Sequence, residues 1–316
     1  MDISVIVCTY NRCKELQAVL QSCNEMLVPD NVSWEIIVVD NNSTDETNAA
    51  VATFSQDSRM RVKYVFEGRQ GKSYALNTGI LASLGKIIAF TDDDATVDRN
   101  WIVELMKIFE KFNCTGVGGR IVPIWPADKP KWFETKLPYS SMAAIVYFDK
   151  GDKPLRIKGT LIGANMAFKR ELFEKHGLFR TDLGPTDGNM GGGGEDSELC
   201  LRFCTEGEIL MYTPSAIVYH PVEKRRATKS YFRAWAFRHG RALSRTKHVP
   251  VDAVRLLGVP RYYLQFFLDA SFKWFFSVQL KKRFYHECKL WEVMGEMFEL
   301  YRESKNGKMM DGSTLH

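Results

Sequence analysis

The sequence predicts an α/β fold with a mainly parallel central sheet flanked by helices. Strand and helix patterns alternate through the first hundred residues, and three polar clusters each follow a buried strand pattern directly. This alternation is typical of a parallel sheet covered on both faces. The length of 316 residues, with 45% hydrophobic and 26% charged residues, is ordinary for one large or two modest domains. It excludes a wholly disordered, collagen-like or coiled-coil chain.

Short apolar runs rich in β-branched residues predict the first four strands, at 3–8, 34–39, 61–66 and 86–91. Periodic apolar residues predict helices at 12–24, from 43 onward, at 73–84 and at 100–112. Ser43 is expected to cap the second helix, with Asp45 and Glu46 in its first turn.

The middle of the chain is less regular. Further strands are predicted at 117–122, 161–168 and 208–219, with helices ending at 176 and covering 195–204. A proline-marked loop covers 123–142. The glycine-rich loop at 184–194 is long enough to predict either a functional lid or a disordered connection.

The charge is distributed unevenly. Residues 221–290 hold sixteen Lys/Arg and four Asp/Glu, a net +12, which leaves −7 for the rest because the total is +5. Three aromatic-rich helices are predicted here, and Arg238, Arg241 and Arg245 share one face of the first. Basic amphipathic helices suit an anionic membrane surface. A plain helical subdomain with a basic face is the alternative, and nucleic acid is disfavoured because no binding motif is present.

The predicted organisation is therefore a catalytic domain at 1–220, a basic helical region at 221–303 and a flexible tail at 304–316. The start of the chain lacks an export signal, the seven cysteines contain no C-x-x-C pair, and no uncharged apolar stretch approaches the roughly 20 residues of a membrane span. We expect a cytoplasmic protein with reduced thiols, at most peripheral on the membrane.

Asp92, Asp93 and Asp94 follow the fourth strand. Residues two apart in an extended segment point the same way, so Asp92 and Asp94 can face one ligand while Asp93 turns away. Two carboxylates with open positions suit Mg²⁺ or Mn²⁺ holding a diphosphate. An acidic turn that caps the next helix is the alternative. His220 ends the last strand and is either a third ligand or a packed histidine.

Asp40 ends the second strand. Its carboxylate can accept hydrogen bonds from a base N–H or from ribose hydroxyls, although an N-cap and Asx-turn cluster explains the same residues. Lys72 opens a helix and offers a modest anion site. The spacings of a Walker A loop and of a nicotinamide-type glycine loop are both missing.

Glu195 and Asp196 follow the glycine run at a helix start. A carboxylate in this position can act as a general base, or can only complement the helix dipole. The spacing of Glu198 and Arg202 also allows an ordinary helical ion pair.

Six motifs, taken in order, resemble family 2 glycosyltransferases of the GT-A fold, of the bacterial surface-polysaccharide type. They are VIVCTYNR at 5–12, EIIVVDNNSTD at 35–45, GKSYALNTG at 71–79, FTDDD at 90–94, GANM at 163–166 and GED at 194–196. Each motif is weak alone, whereas the ordered set is specific and covers about the first 220 residues.

The resemblance implies a set of residues that bind the nucleotide sugar. They are Thr9, Tyr10, Asn11, Arg12, Asp40, Asn42, Lys72, Asn77, Asp92, Asp93 and Asn165. It also implies that Asp94 and Asp92, with His220, hold the metal. Family members often carry Arg where this chain has Leu76, which leaves Lys72 or Arg69 to neutralise the phosphates.

The activity implied is an inverting, metal-dependent transfer from a nucleotide sugar, with uridine as the base, to a saccharide that is lipid-linked. Asp196 resembles the base that deprotonates the acceptor hydroxyl, and Glu195 would assist acceptor binding. Two other hypotheses are a catalytically silent scaffold and a sugar nucleotidyltransferase. The second needs a glycine-rich loop after the first strand, and residues 9–12 contain no glycine.

Overall fold

The computed structural model of the protein describes residues 1–57, 60–134, 144–185, 194–245, 247, 249–250 and 252–305. The chain divides into two compact units. The first unit comprises Met1–Trp125, Val146–Met190 and Glu195–Val222, and the second comprises Pro126–Ile145, Gly191–Gly194 and Glu223–His316. The proline-marked segment thus groups with the C-terminal helices, although the sequence placed it in the catalytic domain. Of the expected flexible tail, residues 304 and 305 are helical and the rest lies outside the described residues.

The first unit is built around one mainly parallel sheet. Its strands are β1 (Ile3–Thr9), β2 (Trp34–Asp40), β3 (Arg61–Phe66), β4 (Ile87–Asp92), β5 (Thr96–Val97), β6 (Gly116–Ile124), β7 (Leu155–Ile157), β8 (Met166–Lys169) and β9 (Leu210–Pro221). The order is β3-β2-β1-β4-β8-β6-β9-β5, and β7 also pairs with β9. Because β8 runs antiparallel to both β4 and β6, and β9 is parallel to β6, the carboxyl ends of β1, β2, β4 and β9 lie at one edge.

Helices cover both faces of this sheet, as predicted. They are α1 (Cys13–Asn24), α2 (Thr47–Asp57), α3 (Lys72–Ala82), α4 (Trp101–Lys111), α5 (Glu171–His176) and α6 (Glu195–Thr205). Side chains alternate between the faces with a period of two. Val5 and Val7 therefore belong to the core formed with α1, α2 and α4, and Ile6 belongs to the core formed with α3, α5 and α6. Two separate apolar cores result.

Several predicted boundaries are wrong for local reasons. Helix α2 begins at Thr47, and its start is held by Asp45, whose Oδ1 accepts the Thr47 N–H at 3.2 Å. The Ser43 hydroxyl instead accepts the Asn11 N–H. The strand predicted at 161–168 is a 3₁₀ turn at Gly163–Asn165 followed by the short β8. The two-residue β5 and the three-residue β7 were not predicted.

The second unit is helical, as its composition predicted. It contains α7 (Lys229–Ser244), α8 (Tyr262–Phe276) and α9 (Leu280–Lys305), with a small hairpin of β10 (Arg255–Leu256) and β11 (Val259–Pro260). Helices α7 and α9 meet backbone to backbone at glycines. A Cβ on Gly240 would lie 1.9 Å from the Glu292 carbonyl oxygen, and one on Gly295 would lie 2.0 Å from that of Phe237.

Much of the basic charge of this unit is neutralised inside it. Glu299 is fully buried on α9 and accepts hydrogen bonds from Arg241 at 2.8 Å and Arg245 at 2.9 Å. The basic face predicted for α7 is therefore partly directed into the second unit. Among the described helices, none combines the length and the apolar character needed to cross a bilayer.

Candidate active site

The site forms at the sheet edge where the carboxyl ends of the parallel strands meet. Strand β4 ends at Asp92 and β9 runs to Pro221, with His220 as its penultimate residue. The short β5 pairs Thr96 with Tyr219, which turns the acidic segment back along β9. The pairing therefore brings His220 beside residues that lie more than a hundred positions earlier in the chain.

Asp92, Asp94 and His220 form a candidate metal centre. Nε2 of His220 lies 3.1 Å from Oδ1 of Asp94 and 3.6 Å from Oδ2 of Asp92, and one ligand atom from each residue falls within 4.8 Å of the others. Nδ1 of His220 lies 3.0 Å from the Pro221 carbonyl oxygen, so an N–H there orients Nε2 towards the carboxylates. Two carboxylate oxygens and one imidazole nitrogen are a donor set that fits Mn²⁺ or Mg²⁺.

Positive groups balance the acidic cluster. Although burial opposes the charged imidazole, the carboxylates of Asp92 and Asp94 raise the pKa of His220 to about 10. Nζ of Lys72 donates to Oδ1 of Asp92 at 2.8 Å, and Nη1 of Arg12 donates to Oδ2 of Asp94 at 2.9 Å. The cluster thus gathers positive charge from three directions, as expected where carboxylates are arranged for a cation.

Asp93 points away from the metal centre, as the strand alternation predicted. Its carboxylate accepts a hydrogen bond from Nη1 of Arg12 at 3.0 Å. Burial raises the pKa of Asp93 to about 6, although the Arg12 charge opposes this. In this structure Asp93 holds Arg12 at the rim of the site.

At the start of α3, two backbone N–H groups are already paired within the protein, which leaves the Lys72 side chain as the source of positive charge. The Gly71 N–H donates to Oδ1 of Asn41 at 2.8 Å, and the Lys72 N–H donates to the Pro185 carbonyl at 3.1 Å. Although burial opposes the charge, the carboxylates of Asp92, Glu195 and Asp196 raise the pKa of Lys72. Lys72 therefore stays protonated between two groups of acids.

Arg69, the other candidate for the phosphates, is held on the rim. Its guanidinium donates twice to the Glu67 carboxylate, at 2.8 and 2.9 Å, and lies 4.7 Å from the centre of the Tyr74 ring. The guanidinium remains largely exposed.

Glu195, which is buried, and Asp196, which is partly buried, form a carboxyl pair at the start of α6. Oδ2 of Asp196 accepts the Gly163 N–H at 3.1 Å, and its Oδ1 accepts the Ser197 N–H at 2.7 Å. Glu195 is 6% exposed, and its Oε2 has no hydrogen-bond partner among the described residues. Burial, reinforced by Asp196, raises the pKa of Glu195 to about 7, and burial also raises the pKa of Asp196. Such a pair can accept a proton near neutral pH.

One small cavity of the first unit is lined by both members of this pair and by Asp92 of the candidate metal centre. Its polar wall consists of Lys72, Asp92, Glu195 and Asp196. Its apolar wall includes Cys8, Leu76, Phe90 and Phe179. The cavity therefore offers an acid-base group and a metal ligand on one surface. The expected lid lies largely outside the described residues, at 186–193.

The loops after β1 and β2 are tied together. Asn11 has a positive φ of 52°, its N–H donates to the Ser43 hydroxyl and its Oδ1 accepts the Thr44 N–H at 2.7 Å. Thr9 is buried, whereas Tyr10 and Asn42 are exposed at the rim. The predicted loops thus meet, with Tyr10 and Asn42 accessible to a ligand.

Asp40 caps the loop after β2, which agrees with the alternative interpretation of a local capping cluster. Its Oδ1 accepts the Ser43 N–H at 2.8 Å, and its Oδ2 accepts the Tyr64 hydroxyl at 2.8 Å. Each oxygen keeps a second lone pair for a ligand. Tyr64 was not predicted. The alternation of side chains along the strands could have predicted this contact. Tyr64 pairs with Val38 and therefore lies on the same face of the sheet as Asp40.

Two asparagines implied by the resemblance have structural roles instead. Asn165 is fully buried, its Oδ1 accepts the Trp101 indole N–H and its Nδ2 donates to the Arg120 and Ala216 carbonyls. This uses both amide hydrogens, so Asn165 has no donor left for a nucleotide sugar. Asn77 pairs both ends of its carboxamide with the Phe179 backbone, at 2.8 and 2.9 Å.

Comparisons with known proteins agree with this architecture. Among curated relatives, a glucosyl-dolichyl phosphate glucuronosyltransferase of Haloferax volcanii is 27% identical over 225 residues, covering 70% of this chain and 69% of that protein. The succinoglycan biosynthesis protein ExoM of Rhizobium meliloti is 27% identical over 256 residues, covering 78% and 77%.

Solved structures share the fold. The mannosyltransferase PcManGT of Pyrobaculum calidifontis, solved with GDP-Man and Mn²⁺, has a TM-score of 0.58 at 23% identity, with 97% of this chain and 76% of that chain covered. S. aureus TarS has a TM-score of 0.53 at 15% identity, covering 98% and 93%. The profile of Glycosyl transferase family 2 matches residues 4–177, more than half of the sequence. The chain therefore belongs to glycosyltransferase family 2 and is a glycosyltransferase with the GT-A fold.

Proposed function

We propose that this protein is an inverting, metal-dependent enzyme that moves a sugar from a UDP-sugar to a lipid-linked saccharide. One observation carries the proposal. Asp92 of the candidate metal centre and the Glu195–Asp196 pair line the same cavity, with Lys72 between them. A glycosyl transfer needs positive charge at the leaving diphosphate and a base at the acceptor, and this cavity offers a place for each.

The metal centre and its neighbours act on the donor. Asp92, Asp94 and His220 would hold Mn²⁺ or Mg²⁺, which when bound would offset the negative charge that develops on the departing diphosphate. Lys72, protonated beside Asp92, contributes a second positive group on the same side of the cavity. Arg12, held by Asp93 and Asp94, offers another at the rim.

The carboxyl pair acts on the acceptor. Asp196 takes the proton from the acceptor hydroxyl, whose oxygen attacks the anomeric carbon from the side opposite the diphosphate. The new carbon–oxygen bond forms as the bond to the diphosphate oxygen breaks, so the anomeric configuration inverts. Glu195 assists by binding the acceptor beside Asp196. The Gly163 and Ser197 N–H groups fix the carboxylate of Asp196 for this step.

The first two loops would receive the nucleoside. Thr9 ends β1 and is followed by Tyr10 and Asn11. Asp40 ends β2 and is followed by Asn42, so both loops lie at the edge where α/β sheets bind ligands. Asp40, held by Tyr64, would accept a hydrogen bond from the base or ribose. Tyr10 is exposed and offers a ring for the base to pack on.

Relatives support the choice of substrates. PcManGT binds GDP-Man and TarS was solved with UDP-GlcNAc, which supports a nucleotide-sugar donor. The Haloferax relative is named for a glucosyl-dolichyl phosphate, which supports a lipid-linked acceptor. ExoM is named for succinoglycan biosynthesis, which supports a role in glycan assembly. We place the enzyme in the cytoplasm, on the inner surface of a membrane.

The donor proposal is tested by thermal stabilisation with UDP, GDP, TDP and CMP, each with and without Mn²⁺. A ligand present at about 100 times its Kd stabilises the folded state by about 2.7 kcal/mol. We expect UDP to raise the Tm only with Mn²⁺, and Asp94→Asn to abolish the shift while Asp30→Asn, an exposed control, preserves it.

Other outcomes discriminate between the hypotheses. A preference for GDP or TDP would keep the enzyme class and discard uridine. An unchanged shift in Asp94→Asn would remove this residue from the metal centre. UDP binding without metal, together with full cellular function of Asp196→Asn, would favour a silent scaffold.

A further inference from the structure

The outer face of α8 exposes large apolar side chains in a continuous stripe. This apolar stripe consists of Leu264, Leu268, Phe272, Phe275 and Phe276. Their exposed fractions are 38%, 65%, 63%, 70% and 62%. At 3.6 residues per turn, these five positions occupy about a third of the helix circumference. Five such side chains on one helix face form a patch of the kind that marks an interaction site.

The other face of α8 is anchored within the second unit. Tyr263 is 2% exposed and its hydroxyl donates to Oε2 of Glu296, on α9, at 2.7 Å. Ala270, on the same side, is 7% exposed. Rotating α8 to bury the apolar stripe would break the Tyr263–Glu296 hydrogen bond and expose this side. The stripe is therefore a fixed feature of the surface of this unit.

Positive charge surrounds the apolar stripe. Residues 252–283 contain six Lys/Arg and two Asp/Glu, a net +4. Arg261 is exposed just before the helix, and Arg283 is exposed just after it. Lys281 is also exposed after the helix, in an ion pair with Glu134 at 3.1 Å. The stripe is thus flanked by cations at both of its ends.

This pattern identifies one occupant. An anionic bilayer accepts apolar side chains below its headgroups and attracts cations at its phosphates, so both parts of the surface are satisfied at once. A second copy of the chain would satisfy only the apolar part, because a twofold contact would bring two +4 segments together. The charge therefore favours lipid over self-association.

We propose that α8 lies in the interface of an anionic bilayer, with the apolar stripe inserted and its flanking cations at the lipid phosphates. This inference deepens the membrane part of the proposed function and rests on it for the lipid-linked acceptor. Vesicle binding needs neither donor nor acceptor, so its failure is separable from failure of the nucleotide-stabilisation experiment above.

The test is co-sedimentation of the full chain with phosphatidylcholine vesicles, with and without phosphatidylglycerol. We expect binding to the anionic vesicles, weakened by salt, and a loss of at least about tenfold in the partition coefficient for Phe272→Ser/Phe275→Ser. Both side chains are exposed, so the Tm should not change. Leu268→Ser is the milder second variant. Leu81→Ser, which removes a 75% exposed leucine from α3, is the matched control and should bind as wild type does.

Four results would overturn the inference. The first three are no binding of wild type to anionic vesicles, wild-type binding by both stripe variants, and equal losses in Leu81→Ser and Leu268→Ser. The fourth is sedimentation velocity that shows lipid-free dimers of wild type and monomers of the double variant, because the stripe would then join copies of the chain.

Discussion

Asp196 and Asn165 both lie in motifs that point to the site, yet their surroundings give them opposite roles. Asp196 lines the cavity, and each of its carboxylate oxygens keeps a lone pair beyond its backbone hydrogen bond. Asn165 is sealed between β6, β9 and α4, with its amide hydrogens used by two carbonyls. A motif specifies residue types in order, whereas the donors and acceptors left unpaired by the fold decide which residues can reach a ligand.

Replacing the proposed base should stop transfer without removing donor binding. We expect Asp196→Asn to lower kcat by about 10²–10⁴-fold, because the amide cannot take the proton from the hydroxyl of the acceptor sugar. The UDP-dependent Tm shift should persist. The measurement is UDP release in the presence of acceptor, alongside thermal melting.

The matched control is Glu206→Gln, which removes an exposed carboxylate just after the same helix and should retain wild-type kcat. Equal activity of Asp196→Asn and wild type would exclude Asp196 as the base.

Asn165→Ala should act on stability alone. The substitution orphans the buried Trp101 N–H and two backbone carbonyls, so we expect the free energy of unfolding to fall by about 3 kcal/mol. Denaturant unfolding measures this loss, and the exposed Asn48→Ala serves as control. Weakened UDP binding by the folded fraction, at unchanged stability, would instead return Asn165 to the nucleotide site.

Among the helices and strands, sequence periodicity predicts the position of an element when the burial of its own residues produces the pattern. Strands β1, β2 and β4 match their apolar runs because most of their residues are buried. The edge strand β3 has no fully buried residue, yet its β-branched and aromatic residues still predict it. Strand β5 has two residues and exists only through its pairing with β9, more than a hundred residues away. No local pattern can encode such a pairing, and the position of His220 depends on it.

The backbone contact between α7 and α9 predicts an intolerant glycine. Gly295→Ala would place a methyl group about 2 Å from the Phe237 carbonyl oxygen, so the helices must separate. We expect a loss of about 1–3 kcal/mol in the free energy of unfolding, measured in urea. Gly159→Ala adds the same methyl group where nothing lies within 4 Å, and should leave stability unchanged. Equal stability of both variants would show that the helices do not approach this closely.

The loop between β3 and α3 predicts an acid-sensitive contribution to stability. Hydrogen bonds from Arg69 are the main reason that the pKa of Glu67 is lowered from 4.5 to about 2. Folding thus favours the ionised carboxyl, so its contribution is complete above pH 4.5 and is lost as the pH falls to about 2.

The free energy of unfolding of wild type should therefore decline more steeply over that range than that of Glu67→Gln. Glu15→Gln, an exposed control on α1, should follow wild type. Parallel curves for wild type and Glu67→Gln would contradict the assignment.

For the whole molecule, the structure separates an α/β unit from a basic helical unit. Composition alone could not predict that the segment Pro126–Ile145 groups with the helical unit. That grouping depends on aromatic contacts such as the one between Trp132 and Phe284, whose ring centres are 4.6 Å apart. The net charge of the helical unit also overstates its exposed positive charge, because Arg241 and Arg245 are paired with the buried Glu299.

The cysteines predict behaviour independent of redox conditions. All seven are free in the structure. Alkylation under denaturing conditions without reductant should modify seven thiols by mass spectrometry, and the Tm should be equal with and without dithiothreitol. A mass that reports fewer modified thiols would reveal a disulfide.

The pairing of β5 with β9 also has a consequence for biosynthesis. A nascent chain emerging from the ribosome presents Asp92 and Asp94 long before His220, so the proposed cation site stays incomplete until the last strand of the sheet is made and docked. Cation loading is then a step of late folding. A substitution at Thr96 or Val97 that weakens this docking should appear in assays as a defect in metal affinity, although it touches no ligand.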